Sequence, residues 1–188
     1  MPEAREIIIA GFGGQGVLSM GQLIAYSAMI EGKEVSWMPS YGPEMRGGTA
    51  NCIVIVSPTR ISSPIIMRFD AAIVLNQPSL DKFESAVKPG GLLIYEESTI
   101  IRPPERSDIE SIGFPVMAEA ATMGKKQVAN VILLGAFLEL RPVVQPRHVM
   151  EALKKVLPER HHHLLPLNEQ ALQRGKELAA DRVAAAHG

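Results

Sequence analysis

An apolar tetrapeptide, Ile7-Ile8-Ile9-Ala10, runs straight into Gly11-Phe12-Gly13-Gly14-Gln15-Gly16 and then into a stretch of helical periodicity. Four consecutive apolar residues read as a strand covered on both faces, which is the position of a central strand in an α/β sheet. Three glycines spaced Gly11-x-Gly13-x-x-Gly16 give the tight turn that lets a helix start directly above such a strand. Val17, Gly21, Ile24 and Ala28 then recur at helical spacing from Val17 to Ile30, and Gly32 is a suitable stop. No all-helical or all-β design uses this junction, so the chain is read as α/β.

The remainder fits that reading. Glu34–Met38, ended by Pro39, Ala50–Val56, Ala71–Leu75 and Gly91–Tyr95 read as further strands, with a helix from Ser79 to Val87 and an edge strand at Gly113–Met117. Strand, helix and strand at this spacing predict a Rossmann-like, mostly parallel sheet flanked by helices. Past Gly124 the pattern becomes helical. Val128–Leu140 is apolar nearly all round and reads as a buried helix; Pro146–Leu157 is a second helix; Asn168 is placed to cap a last one. The 188 residues form one domain, with an α/β core over about 4–140 and C-terminal helices over 141–188.

Composition removes several classes of function. With 19 basic and 20 acidic residues the net charge is -1, which gives no pull toward nucleic acid or an anionic membrane. No apolar run is long enough to span a bilayer and no signal peptide precedes the first strand, so a cytoplasmic setting is expected. A single cysteine, Cys52, cannot supply an iron–sulfur cluster or a cysteine-based zinc site. Cys52 lies in an apolar strand and reads as an inert buried thiol. His161-His162-His163 reads as a solvated run, because adjacent side chains cannot all reach one ion. Asn130, inside the apolar helix, needs hydrogen-bond partners and reads as a structural residue.

Two segments carry the candidate chemistry. In the glycine loop Gly11, Gly13, Gly14, Gln15 and Gly16 either make a turn or present backbone N–H groups to an anion. A dinucleotide site would also need an acid at the end of the second strand, where this chain has Ser36-Trp37-Met38-Pro39. The second segment, Pro39 to Cys52, concentrates Tyr41, Glu44, Arg46, Gly47 and Gly48 in a loop expected beside the glycine loop, at the carboxyl ends of the strands. Arg46 suits a bidentate bond to phosphate or carboxylate, and equally an ion pair with Glu44 or a partner chain.

Taken together, Ile-Ala-Gly-Phe-Gly-Gly-Gln-Gly-Val at 9–17 and Ser-Tyr-Gly-Pro-Glu-Met-Arg-Gly-Gly-Thr-Ala-Asn-Cys at 40–52 resemble the γ subunit of 2-oxoacid:ferredoxin oxidoreductases. Ile61-Ser62-Ser63-Pro64, Ala71–Asn76 and the Asn130–Ala136 helix extend the resemblance over roughly residues 4 to 175. The form of the second motif looks most like the 2-oxoglutarate branch, with pyruvate, ketoisovalerate and indolepyruvate enzymes as alternatives. A free-standing dinucleotide-binding protein is the reading that the glycine loop alone would support.

The resemblance implies oxidative decarboxylation of a 2-oxoacid with coenzyme A as co-substrate, giving acyl-CoA, CO2 and reduced ferredoxin. It implies that thiamine diphosphate, magnesium and 4Fe-4S clusters belong to partner subunits: α and β, with a ferredoxin-type δ chain as an optional fourth. This chain would hold no cofactor alone and contribute no catalytic residue. It would pack beside the thiamine site and expose an apolar face when isolated. The loop with Tyr41, Glu44, Arg46, Gly47 and Gly48 would face the active-site entrance and help form the CoA channel, while Gly13, Gly14, Gln15 and Gly16 would either contact a partner or an anion or serve only as backbone.

Overall fold

A computed structural model describes residues 5–41 and 49–186. Six strands form one sheet: β1 (Arg5–Phe12), β2 (Glu34–Tyr41), β3 (Thr49–Ser57), β4 (Phe69–Val74), β5 (Val87–Glu96) and β6 (Glu110–Phe114). Their order across the sheet is β2-β3-β1-β4-β5-β6. The β1–β4, β4–β5 and β5–β6 pairs are parallel, whereas β3 is antiparallel to both β1 and β2. The mostly parallel sheet is therefore present, with one reversed strand inside it. The antiparallel β2–β3 pair is laid against β1 through β3.

Helices cover both faces. α1 (Val17–Ile30), α3 (Val116–Thr122), α4 (Ala129–Leu140), α5 (Pro146–Val156) and α6 (Leu165–Ala186) contribute to the larger core, whereas α2 (Gln77–Phe83) lies over the other face. The alternation along β1 divides its side chains between these cores: Ile7 and Ile9 enter the first and Ile8 the second. The run Ile7–Ala10 is apolar throughout because neither face meets water. At the opposite end of the same strands, Lys88 bridges Glu6 (2.6 Å) and Asp70 (2.8 Å), and Asp70 also accepts the Glu6 N–H at 2.8 Å.

Several element boundaries differ from those read in the sequence. β2 continues through Pro39 to Tyr41, because β2 is the sheet edge and proline is tolerated where no second neighbour needs its N–H. The expected Ser79–Val87 helix is the shorter α2, which begins two residues earlier because Asn76 Oδ1 accepts the Ser79 N–H at 2.8 Å. The last edge strand ends at Phe114, and α3 occupies residues assigned in part to that strand. Asn168 does not cap α6. It lies inside the first turn and donates from Nδ2 to the Leu164 carbonyl at 2.8 Å.

The Val128–Leu140 helix is observed as α4 and is buried as expected, with its side chains from Val131 to Leu134 almost fully enclosed. α6 lies against α4 closely enough that no side chain fits between the backbones at two points. A methyl group at Gly135 would strike the Leu172 carbonyl, and one at Gly175 would strike the Ile132 carbonyl. α5 is tied to α1 by Glu31, which accepts the Gln145 N–H at 2.6 Å and pairs with His148 and Lys33. Among the described residues no helix is long and apolar enough to cross a membrane.

This crossing gives a stability prediction. Gly175→Ala should lower the unfolding free energy by about 2–3 kcal/mol, since the helices must separate or the backbone must bend to admit the methyl group. Urea denaturation checks this, and an unchanged midpoint would contradict the close approach.

Candidate functional site

The site is built where β1 and β4 lie side by side and their following helices leave to opposite faces. β1 leads into α1 on one face and β4 into α2 on the other. Such a divergence opens a crevice outside the carboxyl ends of the strands, the usual ligand position in open α/β sheets.

Gln15 governs this crevice. Its side chain folds back over Gly11, accepting the Phe12 N–H at Oε1 (2.6 Å) and donating from Nε2 to the Leu75 carbonyl (3.1 Å). A Cβ at Gly11 would lie 2.7 Å from that same Oε1, so glycine is required for the clamp to close. The Leu75 carbonyl also accepts the Thr99 hydroxyl at 2.8 Å, and the Leu75 N–H reaches the Ala10 carbonyl at 2.9 Å. The ends of β1, β4 and β5 are thereby tied together through one backbone carbonyl.

Gly16 completes the turn. Its φ of 78° lies in the left-handed region, and a side chain there would run into Asn130. Asn130 reaches across from α4 and donates Nδ2 to the Gly16 carbonyl at 3.3 Å, so its expected structural role is observed. No side chain caps α1 and its first turn holds no acid, leaving the helix start open to negative charge. Phe12, Gly13, Gly14, Gly16, Ser19 and Ala50 line an open cavity of about 370 Å³ over this turn.

The glycine loop and the flanks of the second segment do come together. Phe12 pairs with Thr49, Gly11 with Ala50, and Tyr41 with Ala50 across the sheet. Gly11, Gly13, Gly14, Gln15 and Gly16 are all placed in this corner, and Tyr41 ends β2 there. Glu44, Arg46, Gly47 and Gly48 lie outside the described residues. Sequence reading missed Leu75 and Thr99, which act through a backbone carbonyl and one hydroxyl and leave no motif. The N-cap Asn76 was missed too, although Asn76-Gln77-Pro78, an N-cap residue ahead of a proline, is a signal that could have found it.

The dinucleotide reading loses its geometric support. In that fold the second strand lies beside the first and delivers the ribose-binding acid, but here antiparallel β3 stands between β1 and β2. The end of β2 is displaced by one strand spacing, about 5 Å, and carries no carboxylate from Val35 to Tyr41.

Cys52 does not fit a cluster ligand. It is fully buried in β3, with Sγ 3.6 Å from the Val17 carbonyl. Burial pushes its thiol up from the usual 9.0 to about 12, against smaller opposing contributions from Trp37 and Gly21. The histidine run is not simply solvated. His161 and His162 are half-buried, His162 Nε2 lies 2.9 Å from the Leu157 carbonyl, and His161 and His163 line a cavity beside α1. No group of three or more metal-ligating side chains exists among the described residues.

Residues 6–178 match the family described as pyruvate ferredoxin/flavodoxin oxidoreductase. This chain belongs to that family. It is 37% identical over 183 residues to the ketoisovalerate oxidoreductase subunit VorA of Methanothermobacter thermautotrophicus, covering 97% of this chain. This chain spans only 38% of that relative's length. The 2-oxoglutarate synthase subunit KorC of Methanothermobacter marburgensis is 32% identical over 181 residues, covering 93% of this chain and 96% of KorC. Among solved structures, the keto/oxoacid ferredoxin oxidoreductase γ subunit of Geobacter sulfurreducens superposes with a TM-score of 0.80 at 30% identity. That match covers 94% of this chain and 99% of the other. The expected fold and the resemblance to γ subunits are thus both upheld.

Two predictions follow from the geometry. Gln15→Glu keeps an acceptor for Phe12 but sets a carboxylate against the Leu75 carbonyl, and should cost about 1–3 kcal/mol of stability in chemical denaturation. The raised Cys52 pKa implies stability that is complete below pH 9 and is lost as pH climbs toward about 12, because the unfolded thiol ionises first. Thiol-blocking rates at pH 8 should show negligible modification until the chain is unfolded. Rapid alkylation of folded protein would contradict the burial.

Proposed function

We propose that this chain is the γ subunit of a multi-subunit 2-oxoacid:ferredoxin oxidoreductase, acting as a binding and structural partner without a catalytic residue of its own. The observation that carries the reading is end-to-end correspondence with subunit-sized relatives, 96% of KorC and 99% of the Geobacter γ subunit. The inert Cys52 supports it, since this chain's one thiol is walled away from any reacting centre. Thiamine diphosphate with magnesium, when bound by the α and β partners, supplies the carbanion chemistry, and 4Fe-4S clusters there pass electrons to ferredoxin. The proposed setting is cytoplasmic.

The role left to this chain is to shape the approach of coenzyme A. The open start of α1 and the backbone of Gly13, Gly14 and Gly16 favour an anion, while the Gln15 clamp holds that backbone fixed. Tyr41 and Thr49, the described residues that flank Glu44, Arg46, Gly47 and Gly48 in sequence, stand at strand ends beside this loop, which supports assigning those four residues to the same ligand. Arg46 is proposed to bind a phosphate or the substrate carboxylate through its guanidinium fork.

Partner contact has its own support. Ile66 and Ile100 pack into the smaller core, whereas the neighbouring Ile65, Met67 and Ile101 are 73%, 80% and 91% exposed. Apolar side chains grouped in this way on one face suit a subunit interface.

The Gly-Pro-Glu-Met-Arg motif favours 2-oxoglutarate as substrate. The 37% identity to VorA, against 32% to the marburgensis KorC, favours a branched-chain 2-oxoacid as the second reading. Ferredoxin reduction by the assembled complex on 2-oxoglutarate, ketoisovalerate, pyruvate and indolepyruvate decides between them. The preferred substrate should exceed the others about tenfold in kcat/KM, and turnover of none would contradict the assignment. In the same complex Arg46→Ala should raise the KM for CoA or for the 2-oxoacid about tenfold, the loss of one charge-assisted bond. Unchanged KM for both would remove Arg46 from the site.

A further inference from the structure

A second cavity, of about 540 Å³, lies beyond the glycine loop between α1, the turn before α4, α5 and the start of α6. This volume is within the range of small-ligand sites, roughly 300–1,000 Å³. Leu23, Val131, Leu153 and Leu167 from α1, α4, α5 and α6, with Leu164 from the 159–164 turn, give it an apolar lining. Its one charged lining residue is Lys125; His161 and His163 add ring nitrogens, and no aspartate or glutamate lines it.

Three of those polar groups have unused bonding capacity. Lys125 Nζ makes no hydrogen bond or ion pair among the described residues, although the side chain is only half-exposed. His161 accepts the Arg160 Nε–H at Nε2 (3.2 Å), which leaves its other ring nitrogen as an N–H donor. Asn130, whose Nδ2 is committed to Gly16, keeps Oδ1 buried with no partner. A cation and a ring donor beside a leucine-lined hollow are complementary to a carboxylate carrying an apolar tail.

We propose that this cavity binds a small amphipathic monocarboxylate, with the carboxylate at Lys125 and His161 and the tail on Leu23, Leu153 and Leu167. The site is separate from the glycine-loop corner, but Ser19 lines both cavities. Occupancy would therefore be felt at the first turn of α1 and, through Asn130, at the Gly16 carbonyl. The proposal does not rest on the oxidoreductase reading, because binding is measured on the full chain without partners or substrates.

The test uses hexanoate as probe, with hexylammonium and hexanol as controls of equal length and different charge. In a two-dimensional NMR titration hexanoate should give saturable shifts at Ser19, Lys125, Asn130 and Leu167, with both controls at least tenfold weaker. Lys125→Ala, a surface substitution that disturbs no described side-chain contact, should weaken hexanoate about tenfold, and Leu167→Trp should abolish its binding by filling the hollow. Equal binding of hexylammonium, hexanoate affinity unchanged by Lys125→Ala, or the absence of saturable hexanoate shifts would each overturn the proposal.

Discussion

The rest of the structure depends on the clamp that Gln15 makes between the Phe12 N–H and the Leu75 carbonyl. The two groups belong to neighbouring parallel strands whose chains leave to opposite faces, so no regular secondary structure can pair them. One side-chain amide, donor and acceptor together, links the exposed Phe12 N–H to the part-buried Leu75 carbonyl, which Thr99 holds from its other side. It fits only because Gly11 has no side chain, which is why strand, glycines and glutamine act as one unit.

The same corner explains why a dinucleotide-like fingerprint is found here without the geometry of a dinucleotide site. Inserting the antiparallel β3 between β1 and β2 moves the second parallel strand out of ribose reach. In exchange, the β2–β3 pair brings Tyr41 and Thr49 to the corner of the glycine loop. A glycine turn fixed from below by Gln15 and from the side by Asn130 then offers rigid backbone donors with little to reorganise on binding. This arrangement supports the proposed role of a subunit that presents a surface to a ligand and leaves the bond-breaking to partner chains.

Much of this was legible in the sequence, for physical reasons that differ from element to element. α1 was read residue for residue because glycines bound it at both ends and its buried face repeats at helical spacing. The β1 run and the apolar α4 were equally plain, since burial on all sides leaves no polar interruptions. β3 could not be read as reversed, because strand direction is set by a hairpin whose connection carries no tight-turn signature. α3 was hidden in a stretch too short to show a period, and α6 starts at Leu165 and Pro166 rather than at Asn168. The candidate site was found as two motifs, but its organising carbonyl at Leu75 was not, because a backbone atom has no residue type. The half-buried setting of His161 and His162 also left no sequence signal, because it comes from the 159–164 turn folding against α6 and from the His162 bond back to the Leu157 carbonyl.

The proposed division of labour between this chain and partner subunits is tested most directly by omission and add-back. Ferredoxin reduction would be measured with the chain alone, with α, β and cluster-bearing subunits lacking it, and with all of them recombined. A binding subunit predicts no 2-oxoacid-dependent reduction by the chain alone and recovery of CoA-dependent turnover only on recombination. Reduction by the isolated chain, or full CoA-dependent turnover in its absence, would contradict that role.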